Sequence, residues 1–108
     1  MKSFNYHSVK DSKEATKLSS SQSAFLAGGM TTIPSMKLGL ATYKDIIDIK
    51  NIKKLSAIKV SAKSIIIGST TKHAEVANSK EIKKTIPSLS SLAEGIGDPQ
   101  VRNRGTIG

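Results

Sequence analysis

Hydrophobic positions near the start of the chain follow first the spacing of a strand and then the spacing of a helix. Phe4 and Tyr6 alternate with polar residues, which predicts a short strand with both rings on one face. Asp11 predicts the start of a helix, because the Asp-Ser-Lys-Glu run has the spacing of a capping box. We expect Ala15 and Leu18 on the buried face of this helix.

A compact apolar run follows and ends at a pair of glycines. Residues 24 to 27 (Ala-Phe-Leu-Ala) predict a buried strand that leads into a tight loop at Gly28 and Gly29. After the loop, Pro34 favours the start of a short helix that continues to Leu38. The first part of the chain therefore has the order strand, helix, strand.

Strand patterns dominate the middle of the chain. Residues 45 to 55 predict a buried strand followed by a short turn. Residues 57 to 68 hold two β-type runs, Ala-Ile-Lys-Val and Ser-Ile-Ile-Ile-Gly. The polar link of residues 61 to 64 between these runs predicts a hairpin.

Helical patterns follow the hairpin. One helix is expected over residues 73 to 78, and a second capping-box spacing begins at Asn78. A break at Pro87 precedes another helix, whose apolar positions recur at helical spacing: Leu89, Leu92, Ala93 and Ile96. Residues 98 to 108 show little periodicity and are predicted to form a loop. This order predicts an α+β fold with two small subdomains, residues 1–55 and residues 56–108.

Composition and charge narrow the class of protein. Hydrophobic residues make up 37% of the 108 positions, as in globular domains, and the net charge is +9. Only two of the 17 basic residues are Arg and only four residues are aromatic, so the chain has few side chains suited to reading nucleic-acid bases or stacking on them. The lysines often stand beside acids, as on a solvated surface. A small module that binds nucleic acid or another polyanion remains one candidate function.

Two absences set further expectations. No apolar stretch approaches the length of a membrane-spanning helix, and the N-terminal residues are charged and polar, which predicts a cytoplasmic protein without a membrane span. The chain has no cysteine, so it can supply no thiolate to zinc or to an iron–sulfur cluster. Any such metal centre must belong to a partner.

Three segments could carry chemistry, and the first is the glycine pair with the threonines that follow it. Gly28 and Gly29 allow positive φ and close approach of the backbone to a ligand. Backbone N–H groups at the next helix start and the hydroxyls of Thr31 and Thr32 would suit a phosphate. On this segment alone, a simple turn is favoured somewhat over a ligand site.

The other two segments are the polar end of the chain and the junction after the hairpin. Arg102 and Arg104 could clamp an anion or pair with carboxylates, and Asp98 could hold one of them by a charge-assisted bond. A solvated turn is the alternative. His73 could lie near a redox ring or act as an acid, although a lone His at a helix start is more often structural. With His7 as the other histidine, no nucleophile triad or metal site can be assembled.

Taken together, these segments resemble a known family. Four runs match in order and spacing the start of the FAD-binding medium subunit of molybdenum hydroxylases of the carbon monoxide dehydrogenase and xanthine dehydrogenase type: LAGGMTTIPSMKLGLA, IIDI, IIIGSTTKHAEVANS and IPSLSSLAEGIGDPQVRNRGTIG. The resemblance extends from about Phe4 to Gly108, and the closing run is highly specific. It implies an α+β FAD-binding fold of the PCMH type.

The resemblance also implies site residues and partners. Two loops would contact FAD, the first of them cradling its pyrophosphate with residues Ala27, Gly28, Gly29, Met30, Thr31, Thr32 and Ile33. The second loop would contribute Thr106, Ile107 and Gly108, and the junction after the hairpin would add Thr71 and His73. No catalytic residue and no metal ligand is implied. Electrons would pass from a molybdopterin large subunit through [2Fe-2S] clusters of a small subunit to this flavin and on to an external acceptor, in a dimer of heterotrimers.

Two departures from the family pattern carry expectations. Met30 stands where a polar residue is common, so one polar contact to the cofactor is expected to be missing. The sequence stops at Gly108, inside the Thr-Ile-Gly-Gly motif, which predicts an N-terminal fragment whose second subdomain is incomplete. We therefore expect these 108 residues alone to retain FAD weakly or not at all.

Overall fold

The computed structural model describes residues 1 to 108, and the chain divides into two units, Met1–Lys53 and Lys54–Gly108. The predicted subdomain boundary after residue 55 stays a prediction. The elements in chain order are β1 (Asn5–Ser8), α1 (Ser12–Leu18), β2 (Ser23–Leu26), α2 (Thr32–Lys37), β3 (Asp45–Asp48), a 3-10 turn (Lys53–Leu55), β4 (Ile58–Val60), β5 (Ile65–Ile67), α3 (His73–Asn78), α4 (Lys80–Thr85), α5 (Pro87–Glu94) and α6 (Pro99–Arg102).

A parallel sheet organises the first unit. Its strand order is β1-β3-β2, and both outer strands run parallel to β3. Parallel neighbours need a crossover connection, which α1 and α2 supply. The register aligns Ser8, Asp48 and Leu26 at the carboxyl ends of the three strands. Ile46 and Ile47 of the central strand are almost fully buried and form the middle of the core.

Local signals at the start of the chain are confirmed in part. Asp11 caps α1, because its carboxylate accepts a hydrogen bond of 2.8 Å from the Glu14 N–H, and Ala15 is buried. The strand predicted at residues 24 to 27 exists as β2 but is not buried, since Phe25 is 49% exposed. The reason is its place at the edge of the sheet, where one side of the strand has no neighbour.

An antiparallel hairpin and a group of short helices form the second unit. The predicted hairpin is confirmed, with Ile58 paired to Ile67 and Val60 to Ile65. Isoleucines of the hairpin and Leu89 pack against the buried residues of the helices, which are Val76, Ala77, Ile82 and Ala93. A buried hydroxyl links two helices, because Ser90 donates a 2.7 Å hydrogen bond to the Ala77 carbonyl.

Two helix predictions in this unit are wrong in detail. The cap of α4 is Ser79 rather than Asn78, since the Ser79 hydroxyl accepts from the Ile82 N–H at 3.3 Å. The region after residue 98, predicted as a loop, contains the one-turn helix α6, which Asp98 caps by accepting a 2.9 Å hydrogen bond from the Val101 N–H. None of the helices has the length and hydrophobicity needed to cross a bilayer.

Candidate functional site

The segment after β2, residues 27 to 32, forms what we call the glycine loop. It leaves the carboxyl end of its strand, the edge of a parallel α/β sheet where ligands usually bind. Gly29 has φ +76°, a conformation that favours glycine, whereas Gly28 does not take the positive φ expected of both glycines. A Cβ atom added at Gly29 would lie 2.7 Å from Cδ1 of Ile33. The glycine pair therefore makes a close turn onto the following helix.

The backbone amides of the glycine loop have no acceptor within the chain. The five consecutive N–H groups of residues 28 to 32 make no hydrogen bond, whereas the next one, from Ile33, donates to the Gly29 carbonyl at 3.0 Å. Helix α2 starts at Thr32, two residues before the predicted start at Pro34, and Thr31 at its cap position makes no side-chain capping bond. A run of free amides beside free hydroxyls is a donor set suited to an anion.

A buried carboxylate stabilises the sheet edge from which the loop departs. Asp48 is 2% exposed, accepts a hydrogen bond from the Tyr6 hydroxyl, and pairs with the Lys50 ammonium at 3.3 Å. Burial raises the pKa of the Asp48 carboxyl, but the hydrogen bonds from Tyr6 and Lys50 outweigh it and leave the pKa below its ordinary value. The same hydrogen bond to Asp48 raises the pKa of Tyr6.

A second cluster around a carboxylate, that of Asp45, lies at the opposite end of these strands. Asp45 accepts from the His7 ring at 2.9 Å and from the Asn5 amide at 3.1 Å. These two hydrogen bonds, that of His7 first, lower the pKa of Asp45. Neither carboxylate cluster was predicted from the sequence, because each depends on pairing between strands about 40 positions apart. The sequence signal that could have indicated them is the alternation along β1, which places Tyr6 and His7 on opposite faces of the strand.

In the second unit, residues 69 to 73 and residues 105 to 108 lie side by side, and we call this pair of segments the paired ribbon. The His73 N–H donates to the Gly105 carbonyl at 3.0 Å, and the Ile107 N–H donates to the Thr71 carbonyl at 2.9 Å. Lys72 and Thr106 form the antiparallel bridge between these two bonds. Two of the three sequence segments expected to carry chemistry, separated by more than thirty positions, are thus brought together.

The paired ribbon uses most of its backbone donors internally. The N–H of Gly108 also has an acceptor, the Ser69 carbonyl at 2.9 Å, so among residues 106 to 108 only the Thr106 N–H is without one. Two side chains, by contrast, leave their hydrogen-bonding groups unused. The hydroxyls of Thr70 and Thr71 are buried and have no hydrogen-bond partner, and Thr71 is 0% exposed. Such unpartnered buried hydroxyls are rare and call for a ligand or a water.

Glycines fix the ribbon tightly in place. A Cβ atom at Gly68 would lie 2.2 Å from the Leu55 carbonyl oxygen, and one at Gly108 would lie 2.6 Å from the Cβ of Ser69. At Gly105 the added atom would come within 3.1 Å of the His73 ring, which is half-buried against this glycine. The ribbon therefore depends on glycine for close backbone packing rather than for positive φ.

Of the two arginines near the end of the chain, Arg102 makes contacts that were not predicted. Arg102 donates to the carbonyls of Ile96 at 3.1 Å and of Gly97 at 2.9 Å. Asp98 makes its helix cap and pairs with neither arginine, so the predicted charge-assisted bond is wrong. Arg102 is thereby a structural clamp on the turn before α6, while Arg104 is exposed.

The predicted site residues thus fall into two groups, each within one unit. Ala27 to Ile33 lie in and directly after the glycine loop, and Thr71, His73, Thr106, Ile107 and Gly108 lie in the paired ribbon. The first group offers free backbone amides, and the second offers the unbonded hydroxyl of Thr71 and the free amide of Thr106.

Comparisons with known proteins agree on one family. Residues 2–108 match the model of the family described as FAD binding domain in molybdopterin dehydrogenase. The chain is 39% identical over 108 residues to the carbon monoxide dehydrogenase medium chain of Hydrogenophaga pseudoflava, covering 97% of this chain and 38% of that protein. It is 33% identical to the glyceraldehyde dehydrogenase medium chain of Sulfolobus acidocaldarius, with the same two coverages.

The structure leads to the same relatives. It superimposes with a TM-score of 0.94, at 39% identity, on a structure of the Hydrogenophaga pseudoflava carbon monoxide dehydrogenase that lacks the Mo-pyranopterin moiety of its cofactor, covering 97% of this chain and 38% of that one. The chain therefore spans well under half the length of these relatives. The expected α+β fold of the PCMH type is confirmed.

Proposed function

Because the chain belongs to the family of FAD-binding domains in molybdopterin dehydrogenases, we propose that it holds FAD as part of the electron-transfer subunit of a molybdenum-containing dehydrogenase. The observation that carries the proposal is the run of five unbonded N–H groups in the glycine loop. Gly28, Gly29 and Thr32 are partly buried and Met30 and Thr31 are exposed, so these amides are accessible to an anion that accepts from them.

The residues of the glycine loop fit a diphosphate. The positive φ of Gly29 turns the chain back on itself, and Ile33 fills the space where a Cβ would stand. Thr31 and Thr32 add hydroxyl donors beside the free amides. Met30 is 40% exposed and contributes no polar side chain, so we assign it a backbone contact only. The loop binds and orients the diphosphate through main-chain atoms.

In the paired ribbon, one backbone amide and one hydroxyl carry the proposed contacts. The Thr106 N–H and the hydroxyl of Thr71 are the available donors, while His73 fixes the ribbon by packing on Gly105. Ile107 and Gly108 contribute backbone shape, since their N–H groups already have acceptors.

The wider role is inferred from the kind of protein that carries such a domain. Bound FAD would supply the chemistry, exchanging electrons through its isoalloxazine ring, and the chain binds and positions it. We propose that iron–sulfur clusters of a small subunit deliver electrons from a molybdopterin large subunit, in a cytoplasmic dimer of heterotrimers, and that an external acceptor removes them. The lack of cysteine in this chain supports a partner as the carrier of the clusters.

A matched pair of glycines tests the proposal. Gly29 and Gly39 have nearly the same backbone angle, φ +76° and +73°, but a Cβ at Gly39 meets nothing within 4 Å. In the complete gene product, expressed with its neighbouring subunits, Gly29→Ala and Gly39→Ala should each lower the free energy of unfolding by about 1–2 kcal/mol.

FAD content separates the two variants. We expect Gly29→Ala to lose most of its FAD, measured from the visible spectrum and by extraction, and Gly39→Ala to keep it. A wild-type complex without flavin, or equal flavin in both variants, would contradict the proposal. Steeply salt-dependent binding of an oligonucleotide by a flavin-free protein would favour the polyanion-binding alternative.

A further inference from the structure

Tyr6 is bonded to the protein interior at its polar end, but its ring is open to solvent. Its hydroxyl donates to the carboxylate of Asp48, which is 2% exposed, whereas Tyr6 itself is 54% exposed. The hydrogen bond accounts for the phenol oxygen, and the fold leaves much of the ring uncovered. A ring fixed at its polar end has little rotamer freedom to lose when a ligand packs on it.

Tyr6 lies on the same face of the sheet as the turn of the glycine loop. Ser8, Asp48 and Leu26 stand side by side in the register of the three strands. Tyr6 precedes Ser8 by two positions and therefore points to the same face as these residues. A Cβ atom added at Gly29 would lie 3.3 Å from Cδ1 of Leu26, so the loop folds back over this face.

The strand order sets the distance between the ring and the glycine loop. Strands β1 and β2 are separated only by β3. Because neighbouring strands lie about 4.8 Å apart, Tyr6 stands about 10 Å to the side of the strand that leads into the glycine loop. In a dinucleotide a ribose separates the diphosphate from the base, so a diphosphate on the free amides of the loop leaves its base within reach of Tyr6.

Phe25 shows that exposure alone does not distinguish Tyr6. Phe25 is 49% exposed, nearly as much as Tyr6, but it stands next to Leu26 in β2 and therefore points to the opposite face. Its side chain also has no polar group that could fix the ring. Tyr6 thus combines an exposed ring, a fixed orientation and the face on which the glycine loop turns.

We propose that the ring of Tyr6 binds the adenine of FAD by stacking, while the glycine loop holds the diphosphate. This inference rests on the proposed function, and it involves only residues of the first unit. Every base offers a flat π-face, so stacking on an aromatic side chain needs no hydrogen bond to the base. The bond to Asp48 keeps the ring in place before the ligand arrives.

The test compares Tyr6→Phe with Tyr6→Leu in the complete gene product in its apo form. Both variants lose the hydroxyl that bonds to Asp48, so both should show a similarly lowered Tm, and only Tyr6→Leu lacks a ring. Titration with FAD, followed by flavin fluorescence, should give a Kd about five- to thirtyfold above the wild-type value for Tyr6→Leu and within about threefold of it for Tyr6→Phe. Phe25→Leu is the control on the opposite face and should bind FAD as the wild type does.

Competition experiments separate a contact with adenine from a general loss of the site. In the wild type, ADP should displace FAD at a lower concentration than inorganic diphosphate does, because ADP also carries the base. In Tyr6→Leu the affinity for ADP should fall by the same factor as the affinity for FAD. Displacement by inorganic diphosphate should be unchanged in this variant.

The opposite results have distinct meanings. Equal FAD affinity in Tyr6→Phe and Tyr6→Leu would overturn the stacking contact, and so would an equal loss in Phe25→Leu. ADP and inorganic diphosphate that compete equally well in the wild type would overturn it too. A parallel fall for both competitors in Tyr6→Leu would show a structural role of Tyr6 instead. A wild-type protein that binds no FAD would overturn the proposed function, and the assignment of Tyr6 with it.

Discussion

The glycine loop of the first unit and the paired ribbon of the second both set glycines beside threonines, but they differ in where their backbone amides go. In the loop, five consecutive N–H groups have no acceptor. In the ribbon, the amides of His73, Ile107 and Gly108 are all bonded within the chain. Similar residue types thus give a run of free main-chain donors in one place and a hydrogen-bonded backbone in the other.

The glycines of the two segments also differ in the reason why glycine is needed. Gly29 is needed for its positive φ, whereas Gly68 and Gly108 are needed because another part of the backbone or a neighbouring residue occupies the space of a Cβ. A Cβ added by substitution should therefore strain the backbone of the glycine loop, whereas in the paired ribbon it should push neighbouring segments apart. The prediction for Gly68 tests this difference, and those for Asp48 and Thr71 test the contacts next to each segment.

The largest effect is expected at Gly68. A Cβ placed 2.2 Å from the Leu55 carbonyl oxygen would push apart two backbone segments and break the 2.8 Å bond from the Thr70 N–H to that oxygen. We expect Gly68→Ala to lower the free energy of unfolding by more than about 3 kcal/mol, measured by urea denaturation. Gly95→Ala is the control, since its Cβ would meet ordinary contacts of 3.6 Å or longer. Similar stability of the two variants would show that the ribbon is not tightly packed.

An intermediate effect is expected at Asp48, which is paired with Leu26 at the strand end where the glycine loop begins. Asp48→Asn keeps a carbonyl acceptor for the Tyr6 hydroxyl but removes the ion pair with Lys50. We expect a loss of about 1–3 kcal/mol at pH 7, measured by urea denaturation. Asp11→Asn is the control, because Asn caps a helix as well as Asp does and should cost little.

The pH dependence of this difference follows from the lowered pKa of Asp48. A carboxyl with a depressed pKa in the folded state contributes stability above its unfolded pKa of about 3.9 and loses it as the pH falls through the folded value. The gap in stability between the wild type and Asp48→Asn should be constant from about pH 7 to pH 5 and shrink below about pH 4. A gap that grew on acidification would contradict this assignment.

The smallest effect is expected at Thr71. Its hydroxyl is buried without a partner, so Thr71→Val, which replaces the hydroxyl by a methyl group, should leave the apo protein equally stable or up to about 1 kcal/mol more stable. FAD affinity should fall if this hydroxyl donates to the cofactor as proposed. Thermal unfolding of the apo and FAD-bound forms separates the two effects. A destabilised apo protein would show that the hydroxyl has a partner before FAD binds.

Sequence patterns predicted the elements whose signals are local. The cap at Asp11 and the hairpin of residues 57 to 68 depend on neighbours a few positions away, and both are present. The one-turn helix α6 was missed because four residues are too short to show a period, and because Pro99, which occupies its first helical position, is a residue type equally common in turns. The exposure of Phe25 depends on the order of strands in the sheet, which periodicity does not reveal.

The candidate site, too, could be predicted from the sequence only in part. The glycine pair and the closing segment could be singled out from composition and resemblance, because glycine and arginine in loops are visible in the sequence. The lack of acceptors for the amides of the glycine loop could not be predicted, since it depends on every other hydrogen bond in the unit. The pairing of Lys72 with Thr106 was equally hidden, because it joins segments 34 positions apart through two backbone bonds.

The strand order of the first unit has a consequence for how the protein is made. Both outer strands, β1 and β2, pair only with β3, which is the last of the three in the chain. During synthesis neither early strand has a neighbour until Asp48 has left the ribosome, so the sheet assembles in one late step. Nascent chains shorter than this should remain sensitive to proteases and bound by chaperones, and longer ones should acquire protection abruptly.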